Sequence, residues 1–174
     1  MKALFSRPIF RAPALLALLA LASCGADKIV PPCPPVRIDN ATAALTKFKD
    51  GAAEDMANME YRAELVGYKG QCVFKDDRVE LSMDIDFAFE PGPAAAGGKV
   101  PYFVAIPQFF PRPEGKRVLE FAMPSGKGMQ RVRETNITTV IPLAKDQAAA
   151  SFDVYIGLQL TPAQLAYNRA HPAR

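Results

Sequence analysis

The sequence predicts an all-β domain: an immunoglobulin- or fibronectin-like antiparallel β-sandwich of about seven strands with a short C-terminal helix. Three observations predict it. Apolar and polar side chains alternate over residues 78–90 and again over 152–160, as they do in strands that bury one face. Turn signals such as Pro91-Gly92-Pro93 and Gly97-Gly98 separate short apolar runs. Clear helix signals occur in one segment near the C-terminus. Short strands divided in this way are typical of a sandwich.

The individual strand predictions follow from the same periodicity. Residues 100–110 are more uniformly apolar, as in a central strand, with Pro107 placed at a bulge or an edge. Turns are expected at Lys69-Gly70 and at Lys75-Asp76-Asp77. Residues 41–49 are ambiguous, because their alanines would suit a helix, but a strand is favoured. The remaining predicted strands are 59–65, 78–90, 117–123, 130–143 and 152–160.

The predicted helix begins after Thr161. Thr161-Pro162-Ala163-Gln164 is a capping box with proline at the first helical position. We expect a short helix that ends near Ala170.

The N-terminus has the pattern of a lipoprotein signal peptide over residues 1–23. Its first part is basic, and the apolar run 12–22 is shorter than the roughly 20 residues that span a bilayer. The run ends in Leu21-Ala22-Ser23-Cys24, which matches a lipobox at every position. We therefore expect cleavage between Ser23 and Cys24, and acyl chains on Cys24 that hold the protein on a membrane. An ordinary secreted protein with a chance cysteine is the alternative, and an uncleaved membrane helix is less favoured.

The residues after Cys24 predict where the domain is held. Gly25 replaces the Asp that retains many lipoproteins in the inner membrane, which favours an outer-membrane lipoprotein facing the periplasm. Residues 24–37 form a leader, whose Pro31-Pro32-Cys33-Pro34-Pro35 segment should be extended and stiff. Residues 38–174 form the sandwich domain.

The charge of the mature chain argues against nucleic-acid binding. The full chain has 21 basic and 18 acidic residues, but Lys2, Arg7 and Arg11 leave with the signal peptide, so 21 − 3 = 18 basic residues remain. The mature formal charge is therefore zero, which removes the usual electrostatic argument for a polyanionic partner.

Cysteine usage predicts one disulfide. With Cys24 assigned to lipid, Cys33 and Cys72 remain as the possible intramolecular pair in an oxidising compartment. Two free thiols with a redox role are the alternative, although their wide spacing argues against a CxxC-type site.

The catalytic inventory is small. The one histidine, His171, lies close to the C-terminus, and a Ser-His-Asp triad or a histidine metal site would have to use it. Asp84 and Asp86 would share one strand face, which favours a solvated face over paired catalytic acids or a calcium site. We predict no catalytic residue, no metal and no cofactor.

One aromatic cluster has two interpretations. Tyr102, Phe103, Phe109 and Phe110 lie close together among prolines. Burial in the core and at a strand end is favoured, and a partner-binding patch at the edge of the sandwich is the functional alternative.

Several ordered stretches carry a resemblance. They are the lipobox, Cys33-Pro34, Pro101-Tyr102-Phe103-Val104-Ala105, Ile141-Pro142-Leu143 and residues 157–168 (Gly-Leu-Gln-Leu-Thr-Pro-Ala-Gln-Leu-Ala-Tyr-Asn). On these residues the chain resembles a family of small alphaproteobacterial outer-membrane lipoproteins of unassigned function. It departs from that family's pattern over residues 107–115. The resemblance implies a location in the cell envelope and adds no catalytic residue.

Three functional hypotheses follow. The leading one is a lipid-anchored, non-enzymatic binding or assembly module with an envelope protein as partner; the sequence does not indicate its oligomeric state. The second is a carrier of a small ligand or lipid, which needs an apolar cavity between the sheets. The third is a hydrolase that uses carboxylates, for which Asp84, Asp86 and Glu120 would have to converge.

Overall fold

Two four-stranded β-sheets pack face to face around an apolar core. The computed structural model describes residues 31–171, so the predicted signal peptide and the predicted acylation site Cys24 lie outside the described residues. The strands are β1 (Val36–Ile38), β2 (Ala44–Phe48), β3 (Met59–Phe74), β4 (Arg78–Pro91), β5 (Lys99–Ala105), β6 (Lys116–Ala122), β7 (Gln130–Pro142) and β8 (Val154–Leu158), and the helix is α1 (Pro162–Ala170).

The strand order confirms the sandwich and changes two details. Sheet I has the order β1-β8-β5-β6, and sheet II has the order β2-β3-β4-β7. The described residues therefore contain eight strands rather than seven, and β1 pairs with β8 in parallel. The likeness to immunoglobulin domains lies in the layered architecture, because β2, β3 and β4 are consecutive neighbours here and constant-type immunoglobulin sheets have no such run.

The longest ladder joins β3 to β4. Along β4 every second side chain from Val79 to Phe89 is buried, as the alternating sequence predicts. The predicted turn at Lys69-Gly70 is wrong, since β3 continues to Phe74. An irregularity between Leu65 and Gly67 shifts the register, after which pairing with β4 resumes. Pairing with the strongly patterned β4 outweighs the local turn signal.

Aromatic side chains fill the centre between the sheets. Phe87 of sheet II packs against Phe121 and Tyr102 of sheet I, with ring centroids 4.6 and 5.1 Å apart. All three side chains are essentially inaccessible to solvent. Close packing of this kind is what stabilises a two-layer fold.

The predicted disulfide is confirmed, and it fastens the leader to the domain. Cys33 is bonded to Cys72 of β3, with Cα atoms 5.9 Å apart. Beside this bond, the Tyr68 hydroxyl donates to the Val36 carbonyl over 2.9 Å. The Val154 amide donates to the Pro35 carbonyl over 2.9 Å. The leader thus contacts both sheets, and its last residues form β1.

The C-terminal helix has the predicted start and end. Thr161 Oγ1 accepts from the Gln164 amide, and Gln164 Oε1 accepts from the Thr161 amide, which completes the capping box. The Asn168 side chain donates to the carbonyls of Ala41 and Ala44 and so ties the helix to the start of β2 and the turn before it. Among residues 31–171, no helix has the length and apolarity needed to cross a membrane.

Candidate binding surface

The four aromatic residues proposed as a partner patch do not share one surface. Tyr102 and Phe109 are buried, at 1% and 6% exposure, so they belong to the core. Phe103 is half-buried on the outer face of sheet I. Phe110 projects into solvent with 69% of its surface exposed. Tyr102 and Phe109 thus lie in the core, as the favoured interpretation predicts, whereas the alternative of one four-residue patch is wrong. The alternation along β5 sends Tyr102 and Phe103 to opposite faces.

The two buried aromatics have clear structural roles. Burial, together with the negative charge of nearby Glu134, raises the pKa of Tyr102 to about 12. Phe109 packs against Phe152, with ring centroids 5.2 Å apart. Both side chains therefore stabilise the fold and are unavailable to a partner.

Phe103 belongs to a different apolar surface, on the outer face of sheet I. On β5, Pro101, Phe103 and Ala105 alternate with the buried Val100, Tyr102 and Val104. The ladder places Val118 of β6 opposite Phe103, and Tyr155 of β8 opposite Ala105. We call this surface the Phe103 face and define it as Pro101, Phe103, Ala105, Val118 and Tyr155.

A glycine shapes the centre of the Phe103 face. Gly157 of β8 lies opposite Phe103. A Cβ atom at Gly157 would lie 2.9 Å from Phe103 Cζ and would collide with Thr42. The ring therefore lies against bare backbone. Lys116 Nζ is 4.5 Å from the centroid of the Phe103 ring, in a cation–π contact.

Charged pairs surround this apolar surface. Lys99 and Glu120 form an ion pair over 3.2 Å at one end of the β5–β6 hairpin. Arg37 and Asp153 form another over 2.8 Å near β1. The side chains of these pairs are substantially exposed, so each contributes little to stability. An apolar centre with a charged rim is the common composition of a protein-binding surface.

The Phe103 face ends at an open sheet edge. β6 is an edge strand of sheet I, and β7 is an edge strand of sheet II. Arg117 of β6 donates to the Thr138 carbonyl of β7 over 2.8 Å, so the two edges lie side by side. A shallow depression of about 290 Å³ lies between them. Arg117 lines this depression, and the next residue, Val118, is 51% exposed on the outer face of sheet I.

The outer face of sheet II is polar along β4, although Val73 and Val140 are exposed on the strands beside it. Both Asp86 carboxylate oxygens accept from Arg133, over 2.6 and 2.9 Å. Asp84 Oδ1 accepts from the Asn136 amide over 3.1 Å, at a residue with a φ of 57°. The two acids therefore lie on a solvated strand face, as the alternation predicts, and each has a partner there.

The carboxylates of the hydrolase hypothesis do not converge. Asp84 and Asp86 lie on the outer face of sheet II, and Glu120 lies on the outer face of sheet I. The core of the sandwich separates them. Within the described range, no three His, Cys, Asp or Glu side chains cluster as metal ligands would. His171 stacks on Tyr167 at the end of α1, with centroids 4.3 Å apart.

The carrier hypothesis requires an apolar cavity between the sheets. The space at the centre is occupied by Phe87, Tyr102 and Phe121. The depressions found on the described residues are open ones of about 200–290 Å³ at the surface. These features give the carrier hypothesis no support.

The ion pair between Asp86 and Arg133 predicts how the pKa of Asp86 changes when Arg133 is replaced. The hydrogen bonds from Arg133 hold the pKa of Asp86 below its usual value. Because the folded-state pKa is the lower one, the pair's contribution to stability is present above the unfolded pKa and is lost as pH falls through the folded pKa. We expect Arg133→Ala to raise the pKa of Asp86, measured by NMR titration of its carboxyl carbon. Arg131→Ala is the control, since Arg131 acts on Asp86 only through space. An equal rise in both variants would contradict the assignment.

Comparisons with protein-family models, with curated proteins and with solved structures each found no match.

Sequence reasoning missed most of the Phe103 face, although one signal was available. The uniform apolarity of residues 100–106 predicts a central strand. In a two-layer sandwich even a central strand has one face directed away from the core. A strand that is apolar on both faces of a two-layer sandwich therefore indicates an exposed apolar surface. For β5 the outward residues of that surface are Pro101, Phe103 and Ala105.

Proposed function

We propose that this protein is a lipid-anchored outer-membrane lipoprotein, and that its sandwich is a non-enzymatic module that binds an envelope protein through the Phe103 face. The anchor would be the acyl chains on Cys24. The partner surface would be apolar at its centre and would carry charges that complement Lys99, Glu120 and Lys116. The domain would face the periplasm.

The observation that best supports the proposal is that the outward side chains of β5 are apolar. β5 lies between β6 and β8, and its outward side chains Pro101, Phe103 and Ala105 are apolar. The corresponding outward positions on β4, an internal strand of sheet II, are polar except for Ala88: Glu80, Ser82, Asp84, Asp86, Ala88 and Glu90. The two central strands β5 and β4 thus differ in what they present to solvent, and the apolar outer side of β5 is suited to a protein contact.

The anchor rests on separate support. The lipobox residues Leu21-Ala22-Ser23-Cys24 match the pattern at every position. The Cys33–Cys72 disulfide is compatible with an oxidising compartment such as the periplasm. Tethering also restricts the domain to one membrane surface, which raises the effective concentration of a membrane-bound partner.

Matched arginine substitutions test the binding surface. Val118 and Val73 are 51% and 50% exposed, on the outer faces of sheet I and sheet II respectively. We expect Val118→Arg to reduce recovery of a crosslinked envelope partner at least ~10-fold, because a charge placed in an apolar contact costs more than ~1.4 kcal/mol. Val73→Arg should leave recovery unchanged, and both variants should unfold at the wild-type temperature.

Equal recovery with both variants would contradict the Phe103 face as the binding site. The anchor has its own test, which is mass spectrometry of the mature N-terminus combined with membrane fractionation. Wild type should carry acyl chains on Cys24 and sediment with membranes, whereas Cys24→Ala should be soluble. An unmodified, soluble wild-type protein would overturn the anchor.

A further inference from the structure

Phe110 is the most exposed large apolar side chain of residues 31–171, at 69%. The loop that carries it, residues 107–115, is held firmly; we call it the Phe110 loop. The Phe110 amide donates to the Pro107 carbonyl over 3.0 Å, and the Arg112 amide donates to the Phe109 carbonyl over 2.9 Å. A Cβ at Gly115 would come within 2.7–2.9 Å of the backbone of Phe109 and Phe110. The loop is therefore folded tightly against itself and presents Phe110 on a rigid support.

The Phe110 loop lies at the end of the sandwich where the leader joins. Because β1 and β8 are parallel, the residues before Val36 lie beyond the start of β8. The Phe110 loop reaches the same place from β5: the Gln108 side chain donates to the Ser151 carbonyl over 3.3 Å, just before β8. The contact between Phe109 and Phe152 reinforces this position. We call this end of the sandwich, with Cys33, Phe110 and Ser151, the tether end.

The length of the tether limits how far the tether end can lie from the acyl chains. Cys33 is fixed to β3 by its disulfide, so the free tether begins there. It is 33 − 24 = 9 residues from Cys24. A fully extended chain covers at most ~3.3–3.6 Å per residue, which allows about 32 Å. A tether of this length lets the tether end reach the headgroups of the bilayer and limits its distance from the acyl chains to about 32 Å.

The side chains at the Phe110 loop suit the membrane interface. Aromatic rings are enriched at the headgroup level, and Lys and Arg side chains beside them can reach phosphate groups. Arg112 lies two residues from Phe110, and its guanidinium is 4.9 Å from the centroid of the Phe109 ring. Lys116 follows directly after the loop. An exposed aromatic ring with a cation two residues away suits the headgroup region of a bilayer, although the loop also carries the acidic Glu114.

We infer that the Phe110 loop is a second membrane contact, in which Phe110 inserts into the interface of the phospholipid bilayer and Arg112 binds the headgroup phosphates. This inference rests on the proposed lipid anchor at Cys24. It adds a fixed orientation to the tether, with the tether end against the membrane and α1 with the opposite loops directed away from it. The Phe103 face would then stand upright at the side of the domain, open to a neighbouring protein.

Tryptophan fluorescence can test the contact, because the chain contains no tryptophan of its own. The F110W variant places a single emitter at the proposed contact. The matched control is M129W, since Met129 is 61% exposed in the loop before β7, at the opposite end of the sandwich. Each acylated variant is reconstituted into vesicles of phosphatidylethanolamine and phosphatidylglycerol, with or without phosphatidylglycerol brominated near the top of the acyl chain.

We expect a blue-shifted emission for F110W. Brominated lipid should quench this emission at least ~2-fold more strongly than that of M129W, because a side chain in the interface lies about 5–10 Å deep, near the bromine atoms. Equal, weak quenching of both variants on vesicle-bound protein would overturn the membrane contact and leave the lipid anchor intact. A blue shift that appears only with added envelope protein, without bromine quenching, would assign Phe110 to a protein partner and also overturn it. A wild-type protein that lacks acyl chains and does not float with the vesicles would remove the anchor and this inference together.

Discussion

Replacing Cys33 and Cys72 together with alanine should lower the free energy of unfolding by about 4 kcal/mol. The bond joins residues 39 apart in sequence, and a closed loop of that length removes about 4 kcal/mol of chain entropy from the unfolded state. For a domain of this size the loss corresponds to a fall in Tm of roughly 8–16 °C. Urea unfolding of the two purified proteins measures the difference.

The reductant dependence supplies the control for this prediction. Dithiothreitol should bring the wild type down to the stability of the double variant and should have no effect on the variant itself. A loss below ~1 kcal/mol would show that the leader's hydrogen bonds, from Tyr68 to Val36 and from Val154 to Pro35, hold it in place without the covalent bond.

Phe87→Ala should cost about 3–5 kcal/mol, the range for removing a large aromatic side chain from a packed core. Phe87 is 0% exposed and lies at the centre of the contact between the sheets, against Tyr102 and Phe121. A cavity there removes contacts with both sheets at once. Since whole domains are stable by only about 5–15 kcal/mol, the variant should unfold at a much lower urea concentration.

The same substitution at an exposed position is the matched control. Phe110→Ala removes an identical side chain from a site that is 69% exposed, and its effect on stability should stay within about 0.5 kcal/mol. Similar losses for the two variants would contradict the burial that separates them.

The sequence predicts those elements of the sandwich whose own residues show a clear periodicity or capping motif. β4 and β8 alternate strictly, and α1 has a capping box, so all three were found with nearly their observed bounds. The second half of β3 was not found, because Gly67, Lys69 and Gly70 favour a turn locally and pair with β4 only in the folded sheet. β1 has three residues, and its partner β8 lies more than a hundred residues away. Nothing local distinguishes such a strand from a stiff leader.

The binding surface could be predicted only in part, for a related reason. The aromatic residues near Pro107 were singled out by composition, but composition does not indicate which face of a strand each side chain occupies. The alternation along β5 separates Phe103 from Tyr102, and the short helical turn at residues 107–109 separates Phe110 from Phe109. Val118 was missed because its importance depends on pairing with β5 and on β6 being an edge.

The parallel pair of β1 and β8 fixes the order in which the domain can be completed. During synthesis β1 emerges among the first segments and β8 nearly last. The β3–β4 hairpin can form early from neighbouring residues, whereas sheet I stays incomplete until residues 154–158 arrive. Assembly of the domain therefore ends when β8 pairs with β1, the strand next to the tether. A chain that ends before β8 leaves β1 without its partner.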